Sequence, residues 1–335
     1  MSIDPILLVG GSGVVGGWTA RHLRAAHPNL PLLIGGRDRT KADAAAEIVG
    51  NAEGVALDLS ADDLGLGQRA VSAVAVLLPD ETRAGLRFAD TRRVPHVSIA
   101  SGVEQIGPDV ATYMHNPQSA AVVLGTEWLV GATMIPTLNA ARRFSRLHDI
   151  RIGAVFDEED LGGAAHLADL KGLTDERAPA LTRRDGVYFW RHGADISATV
   201  HAADGTPMEA FGLSINDVVA LSAATEAQNV EFNLALGVSS SRRRGEAMST
   251  EIIIELSGTD HDGKALRTRH AVLHPDGQFP VTGLGVAMVL ERLVGLDGKP
   301  AAKPGLYFPY QLLDPATYVA RFEAIGGDIM ELAVL

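Results

Sequence analysis

The sequence has no cysteine, which removes disulfides, thiolate nucleophiles, cysteine-bearing zinc or iron–sulfur centres and any stapled secreted fold. A reducing cytoplasm is the expected compartment. Basic residues are a minority, 29 Lys plus Arg against 41 Asp plus Glu, and the formal net charge of −12 repels phosphate backbones and anionic lipid surfaces. Neither nucleic acid nor membrane is therefore expected as a partner. No apolar run approaches the ~20 residues of a membrane span, and "MSIDPILLVGGSG" lacks the basic start and small-residue cleavage site of a secretory signal. No nucleophile elbow, H-E-x-x-H or Walker A loop is present, which weakens hydrolase and kinase readings.

What is present is glycine, 36 of them in 335 residues, without a collagen-like period. They crowd the stretch "ILLVGGSGVVGGWTARHL", Ile6 to Leu23. Ile6–Val9 reads as a buried strand. From Val14 the apolar residues recur at three- and four-residue steps, which reads as a helix. Gly11, Gly13 and Gly16 fit G-x-G-x-x-G, and Gly10, Gly13 and Gly16 fit G-x-x-G-x-x-G. Either spacing gives a tight turn, a backbone open to a diphosphate and close helix–strand contact, with the helix aiming its free N–H groups at the phosphates. The expected holders are Gly10, Ser12, Gly13, Val14 and Val15.

Further strands are expected at Leu32–Ile34, Gly54–Ser60, Ala70–Pro79, the segment "PHVSIASG" and Ala121–Leu124, alternating with helical segments such as Lys41–Val49. That alternation predicts an α/β fold with a Rossmann-type, doubly wound parallel sheet, whose ligands lie beyond the carboxyl ends of the strands. Leu78, Pro79 and Ser101 are expected there, and Asp58 and Leu59 where an adenine ring would rest. Arg37 stands 21 positions after Gly16, about where such a unit meets the adenosine ribose, and opens the basic cluster Arg37-Asp38-Arg39-Thr40-Lys41. A cation there suits a 2′-phosphate, so NADP(H) is expected; Asp38 could accept from a ribose hydroxyl, which keeps NAD open.

Beyond Phe144 the period shifts towards two. "GVYFWRHGADISATVHAADG" reads as paired strands around His-Gly and Asp-Gly turns, and Glu251–His274 as a hairpin folding back at Asp262-Gly263. With helices at Asn216–Ala227 and Thr282–Val294 to cover it, this predicts a second α+β domain containing a largely antiparallel sheet. A polar, partly helical excursion is expected over Asp157–Asp185, a helix of about three turns reaching Phe144, and a closing helix with Asp314 as cap and Pro315 first.

These residues resemble the saccharopine dehydrogenase-like (saccharopine reductase) family of NAD(P)-dependent oxidoreductases. The likeness lies in "LLVGGSGVVGGWTARHL" with "IGGRDRTKA", and in "TDHDGKALRTRHAVLHPDGQFPVTGLGVAMVLERLVG" with "KPGLYFPYQLLDPATYVARF", about half of the chain. It implies a dinucleotide-binding domain at 1–125, a substrate and dimerisation domain at 126–299, a closing segment at 300–335 returning to the first, and a homodimer. It also implies hydride transfer to or from a C=N or C=O bond of a small carboxylate-bearing substrate. One departure is "GTEWLVG", where the family often carries an acidic-Pro-Gly run; this places lysine-pathway identity in question and leaves the cofactor untouched.

Glu127 and Trp128, just past a strand end, are candidates to face the substrate. Arg243, in "SSSRRRGE", is a candidate to grip its carboxylates. His166, His192, His201 and His270 are possible acids, none standing out as a pair, and no catalytic residue is assigned. No metal site is expected, "TDHDGK" reading as a hairpin turn. None of the tyrosines has a lysine four positions on, which argues against a short-chain dehydrogenase. The competing readings are a catalytically silent NADP(H)-binding sensor or partner protein, and an enoyl reductase.

Overall fold

The computed structural model describes residues 4–99, 103–160, 162 and 178–335. The chain forms two compact units, one from Met1–Thr126 with Thr282–Asp314, the other from Glu127–Val281 with Pro315–Leu335. The closing segment expected from 300 is thus divided: Gly305–Tyr307 joins the first sheet, and Pro315–Leu335 lies in the second unit.

The first unit holds a sheet of β1 (Ile6–Val9), β2 (Leu32–Gly36), β3 (Ala52–Ala56), β4 (Ala73–Val76), β5 (His96–Ser98), β6 (Ala121–Val123) and β15 (Gly305–Tyr307). All its pairs are parallel, in the order β3-β2-β1-β4-β5-β6-β15. This is the doubly wound order of a dinucleotide-binding fold extended by one edge strand. Strands buried on both faces must be apolar throughout, and all four residues of β1 and of β4 are buried. The helices between them are α1 (Val14–Ala26), α2 (Arg39–Val49), α3 (Ala84–Arg92) and α4 (Ile106–Tyr113). Leu7, Val9, Leu33, Val74, Val76 and Phe88 form the core on one face, each contributing about 1.5–3 kcal/mol by leaving water.

The second unit is built on β7 (Phe144–Asp157), β8 (Ala180–Arg184), β9 (Val187–Arg191), β10 (Ser197–His201), β11 (Pro207–Gly212), β12 (Asn229–Gly237), β13 (Thr250–Asp260), β14 (Ala265–His274) and β16 (Asp328–Leu332). Its order is β10-β11-β12-β7-β13-β14-β16, with β8 against β12 and β9 against β8; among the described residues only β7–β12 is parallel. The hairpin at Asp262-Gly263 forms as expected, the Asp260 amide donating to the Lys264 carbonyl (2.9 Å) and Gly263 at φ +79°. His192-Gly193 does not turn a hairpin: β9 pairs with β8, β10 with β11, and a 3₁₀ turn over Gly193–Ile196 separates them. The helices are α5 (Met134–Ala141), α6 (Asn216–Thr225), α7 (Gln278–Val294), whose later part belongs to the first unit, and α8 (Pro315–Ala324). α5 stops short of Phe144, which opens β7. The excursion expected over Asp157–Asp185 lies largely outside the described residues.

One buried group gives the first unit a pH dependence. His96 on β5 is 4 % exposed; burial pushes its pKa down to about 4, with the Asp80 carboxylate pulling back weakly. Below its ordinary value of 6.5 the unfolded chain takes a proton that the folded chain refuses until about pH 4, so stability is lost as pH falls through this window. Relative to His96→Gln, the native chain should lose about 2–3 kcal/mol more between pH 7 and pH 4.5, read from urea midpoints.

Candidate functional site

At the carboxyl end of β1 the chain reverses through Gly10 at φ +81°. The Gly13 amide closes the turn on the Gly10 carbonyl (2.9 Å) and the Gly10 amide donates to the Gly35 carbonyl of β2 (2.8 Å). Helix α1 then lies so close to this turn that a Cβ on Gly16 would stand 2.5 Å from the Gly10 carbonyl oxygen and from Gly11 Cα. Any side chain there would drive the helix off the strand. Ser12, Gly13 and Val14 are exposed, Val15 is half-buried, and no first-turn acid or capping side chain occupies the helix start. The turn thus offers bare backbone at the positive end of a helix dipole, the surroundings an anion requires.

Neighbouring strand ends converge on this turn. The Leu77 amide donates to the Val9 carbonyl (2.8 Å), carrying β4 alongside β1, and Leu78 Cδ2 would stand 3.1 Å from a Cβ on Gly10. Pro79 beyond it is exposed. On the other side Ser12 Oγ lies 3.4 Å from where Gly36 would carry a Cβ, so Ser12 sits beside the end of β2. β1 has β2 on one side and β4 on the other, making this crevice the switch point at which doubly wound sheets take ligands.

The residues after β2 separate by role. Asp38 Oδ1 accepts the Thr40 and Lys41 amides (3.0 and 3.2 Å) and so caps α2. Arg39 pairs with Asp43 one turn on (2.8 Å). Arg37 is exposed and makes no hydrogen bond or ion pair among the described residues. Asp58 is exposed and accepts the amide and hydroxyl of Ser60 (2.9 and 2.6 Å), bonds that hold its carboxyl below the usual value; Leu59 packs half-buried on the core. Ser101 lies outside the described residues.

A second constellation lies wholly in the second unit. Glu127 is 1 % exposed and close enough to Tyr318 of α8 to help burial raise that phenol's pKa. Trp128 packs on Phe232 with ring centroids 5.5 Å apart. The backbone next passes through three successive left-handed residues, Leu129 (φ +54°), Val130 (+51°) and Gly131 (+97°). For residues other than glycine this costs about 1–2 kcal/mol each, and a β-branched residue there is a rare outlier. Asp217, in the first turn of α6, accepts the Trp128 amide at Oδ2 (2.7 Å). It is wholly buried; desolvation pushes its carboxyl up to about 7, against the opposing pull of the Trp128 amide and the nearby Thr133 hydroxyl. Asp217 was not legible as part of a site, since an acid in the first turn of a helix reads as an ordinary dipole partner.

The other candidates are not brought together. Arg243 is committed to Asp204, with Nε to Oδ2 at 2.7 Å and Nη2 to Oδ1 at 2.9 Å; its remaining nitrogen donates to the Val238 carbonyl. This pairing ties β10's turn to a short helix and leaves no fork for a ligand carboxylate. His192 is exposed, His201 and His270 are half-buried on separate strands, and His166 lies outside the described residues. Among the described residues no cluster of His, Asp and Glu could hold a metal ion, and no helix is long and apolar enough to cross a membrane.

No family model matches the chain, and neither does any curated protein. Solved structures do. The apo saccharopine dehydrogenase (L-Glu forming) of Saccharomyces cerevisiae is 13 % identical, covers 98 % of this chain and 100 % of its own, and superposes with a TM-score of 0.66. The fold is saccharopine dehydrogenase-like. Similar too is the homospermidine synthase of Legionella pneumophila in complex with NAD, at 10 % identity, 100 % and 92 % coverage and TM-score 0.63. GenD2 from gentamicin A biosynthesis, also in complex with NAD, stands at 13 %, 100 % and 97 %, and 0.51. At such identities the likeness extends to the saccharopine dehydrogenase-like fold and no further.

The close approach at Gly16 predicts a contrast within one helix. Gly16→Ala should cost about 1–3 kcal/mol through overpacking. Gly17, the next residue, has nothing within 4 Å of an added Cβ, so Gly17→Ala should stabilise by about 0.5–1 kcal/mol. Thermal midpoints of the two variants, moving in opposite directions, are the measurement.

Proposed function

We propose that the chain is an NADP(H)-dependent oxidoreductase, transferring hydride to or from a C=N or C=O bond of a small carboxylate-bearing substrate. The observation that carries the reading is the bare helix start of Gly13–Val15 beside an uncommitted Arg37. A diphosphate fits it: the Gly10–Val15 backbone supplies amides without side-chain bulk, and Ser12 adds a hydroxyl at the end of β2. Arg37 would hold a 2′-phosphate, since its fork is free where those of Arg39 and Arg243 are filled. Leu78 and Pro79 would flank the nucleotide, with Asp58 and Leu59 near the adenine. The GenD2 and homospermidine synthase structures are complexes with NAD, which supports the cofactor class.

The nicotinamide, when bound, supplies the hydride chemistry. The chain's own part is to orient the reactants and exclude water. Glu127 and Trp128 are the residues we place against the substrate; Arg243 is not among them, because Asp204 occupies it. A cysteine-free chain of net charge −12 suits a cytoplasmic enzyme of small molecules, and a homodimer follows from the family plan.

Fluorescence titration of the full chain with NADPH and NADH tests the cofactor. An absorbance assay at 340 nm against keto acids with and without amines, and against enoyl substrates, tests the chemistry. Arg37→Asp should weaken NADPH by tenfold or more while leaving NADH within about twofold, tenfold being about 1.4 kcal/mol; equal weakening of both removes the 2′-phosphate role. Tight cofactor binding with no oxidation across the panel is what a silent binder would give.

A further inference from the structure

We infer that Asp217 is a positioning residue for substrate: by accepting the Trp128 amide it holds the left-handed turn that fixes Glu127 and Trp128, without any part in holding the cofactor. The inference rests on the reading above that Glu127 and Trp128 meet the substrate.

Three observations carry it. Leu129, Val130 and Gly131 all lie in the left-handed region, and of these only glycine adopts it freely. Such a backbone persists only where its surroundings over-determine it. Within the turn the Val130 amide reaches the Glu127 carbonyl (2.9 Å) and the Ile135 amide reaches the Gly131 carbonyl (2.9 Å). The Thr133 hydroxyl lies a long 3.4 Å from the Trp128 carbonyl. The short bond is the one from Trp128 to Asp217, 89 residues on and at 2.7 Å.

The acceptor is also an expensive choice. Asp217 is wholly buried, and among the described residues its Oδ1 has no hydrogen-bond partner, the Trp128 amide being on Oδ2. Its raised pKa, about 7, reflects that dehydration. A carboxylate kept in such a place, opposite a strained turn, marks a site where geometry has been favoured over stability. Asp217 belongs to the second unit, whereas the glycine turn and Arg37 belong to the first, so loss of the bond should separate substrate affinity from cofactor affinity.

The experiment uses the full chain carrying Trp18→Phe and Trp190→Phe, which leaves Trp128 as its single tryptophan. In that background Asp217→Ala should shift Trp128 emission to the red and raise its acrylamide quenching. It should also raise KM for the second substrate by tenfold or more, with kcat within about threefold and NADPH affinity within about twofold. Asp217→Asn, which keeps an acceptor oxygen, should restore most of the emission and of KM. Unchanged emission and KM in Asp217→Ala, an equal loss of NADPH affinity, or an Asn variant as damaged as the Ala variant overturns the inference. Should Asp217→Ala not fold, hydrogen exchange of the Trp128 amide in the native chain decides: slow exchange supports the bond and fast exchange refutes it. Failure of the native chain to bind NADPH would sink the functional reading and the substrate role with it, whereas the emission and exchange measurements, which need no turnover, would still decide whether Asp217 holds the turn.

Discussion

The contact between the Gly10 carbonyl and Gly16 is the constraint on which the first unit depends. It brings α1 within the distance of a missing methyl group from the turn that leaves β1, and the backbone of that turn at Ser12–Val14 is exposed. The register of the sheet then aligns the neighbours. Val9 stands opposite Gly35 and Val76, and Gly36 opposite Ala56, so three further strand ends reach the same edge. A crevice lined by strand ends and a helix start follows from packing before any ligand is invoked.

An acidic protein must place its carboxylates somewhere, and here many of them satisfy backbone amides. Asp38 caps α2, Asp80 accepts the Ala84 and Gly85 amides at the start of α3, and Asp160 accepts the Gln278 amide at the start of α7. Asp157 and Glu251 take the Ser239 and Ser240 amides. Each joins a charge to the positive end of a helix or turn, which offsets part of the desolvation. Asp217 follows the same pattern across 89 residues, with the difference that the Trp128 amide it takes opens a left-handed turn and not a helix.

Elements whose patterns are local were legible. β1 and α1 fall where the apolar run and the three-four spacing put them, and the Asp262-Gly263 hairpin where its turn chemistry put it. Errors arose where pairing is long-range. β9 contains Tyr188, Phe189 and Trp190 and could have met either neighbour in sequence; its partner β8 lies on the other side from β10. Phe144, apolar and next to a helix, fits a helix end in sequence, yet it opens a strand whose parallel partner β12 lies far along the chain. The arginines of "SSSRRRGE" could not be assigned from sequence because the carboxylates that consume them, Asp157 and Asp204, are far away in the chain.

That last point separates two of the chain's arginine-bearing stretches, "SSSRRRGE" and "GRDRTK". Arg242, Arg243 and Arg244 are all engaged, by Asp157, Asp204 and Glu246, and their charge is spent on folding the second unit. After β2 the pairing is incomplete: Arg39 finds Asp43, Asp38 turns its carboxylate inward to cap α2, and Arg37 is left in solvent. Asp38 and Arg37 are adjacent and opposite in charge, but the extended backbone at Asp38 sends their side chains apart. The helix claims the acid and leaves the base exposed at the same strand end that Ser12 adjoins. Cap formation thus fixes the Asp38 carboxylate on the α2 amides and leaves the Arg37 guanidinium open to an anion such as a phosphate.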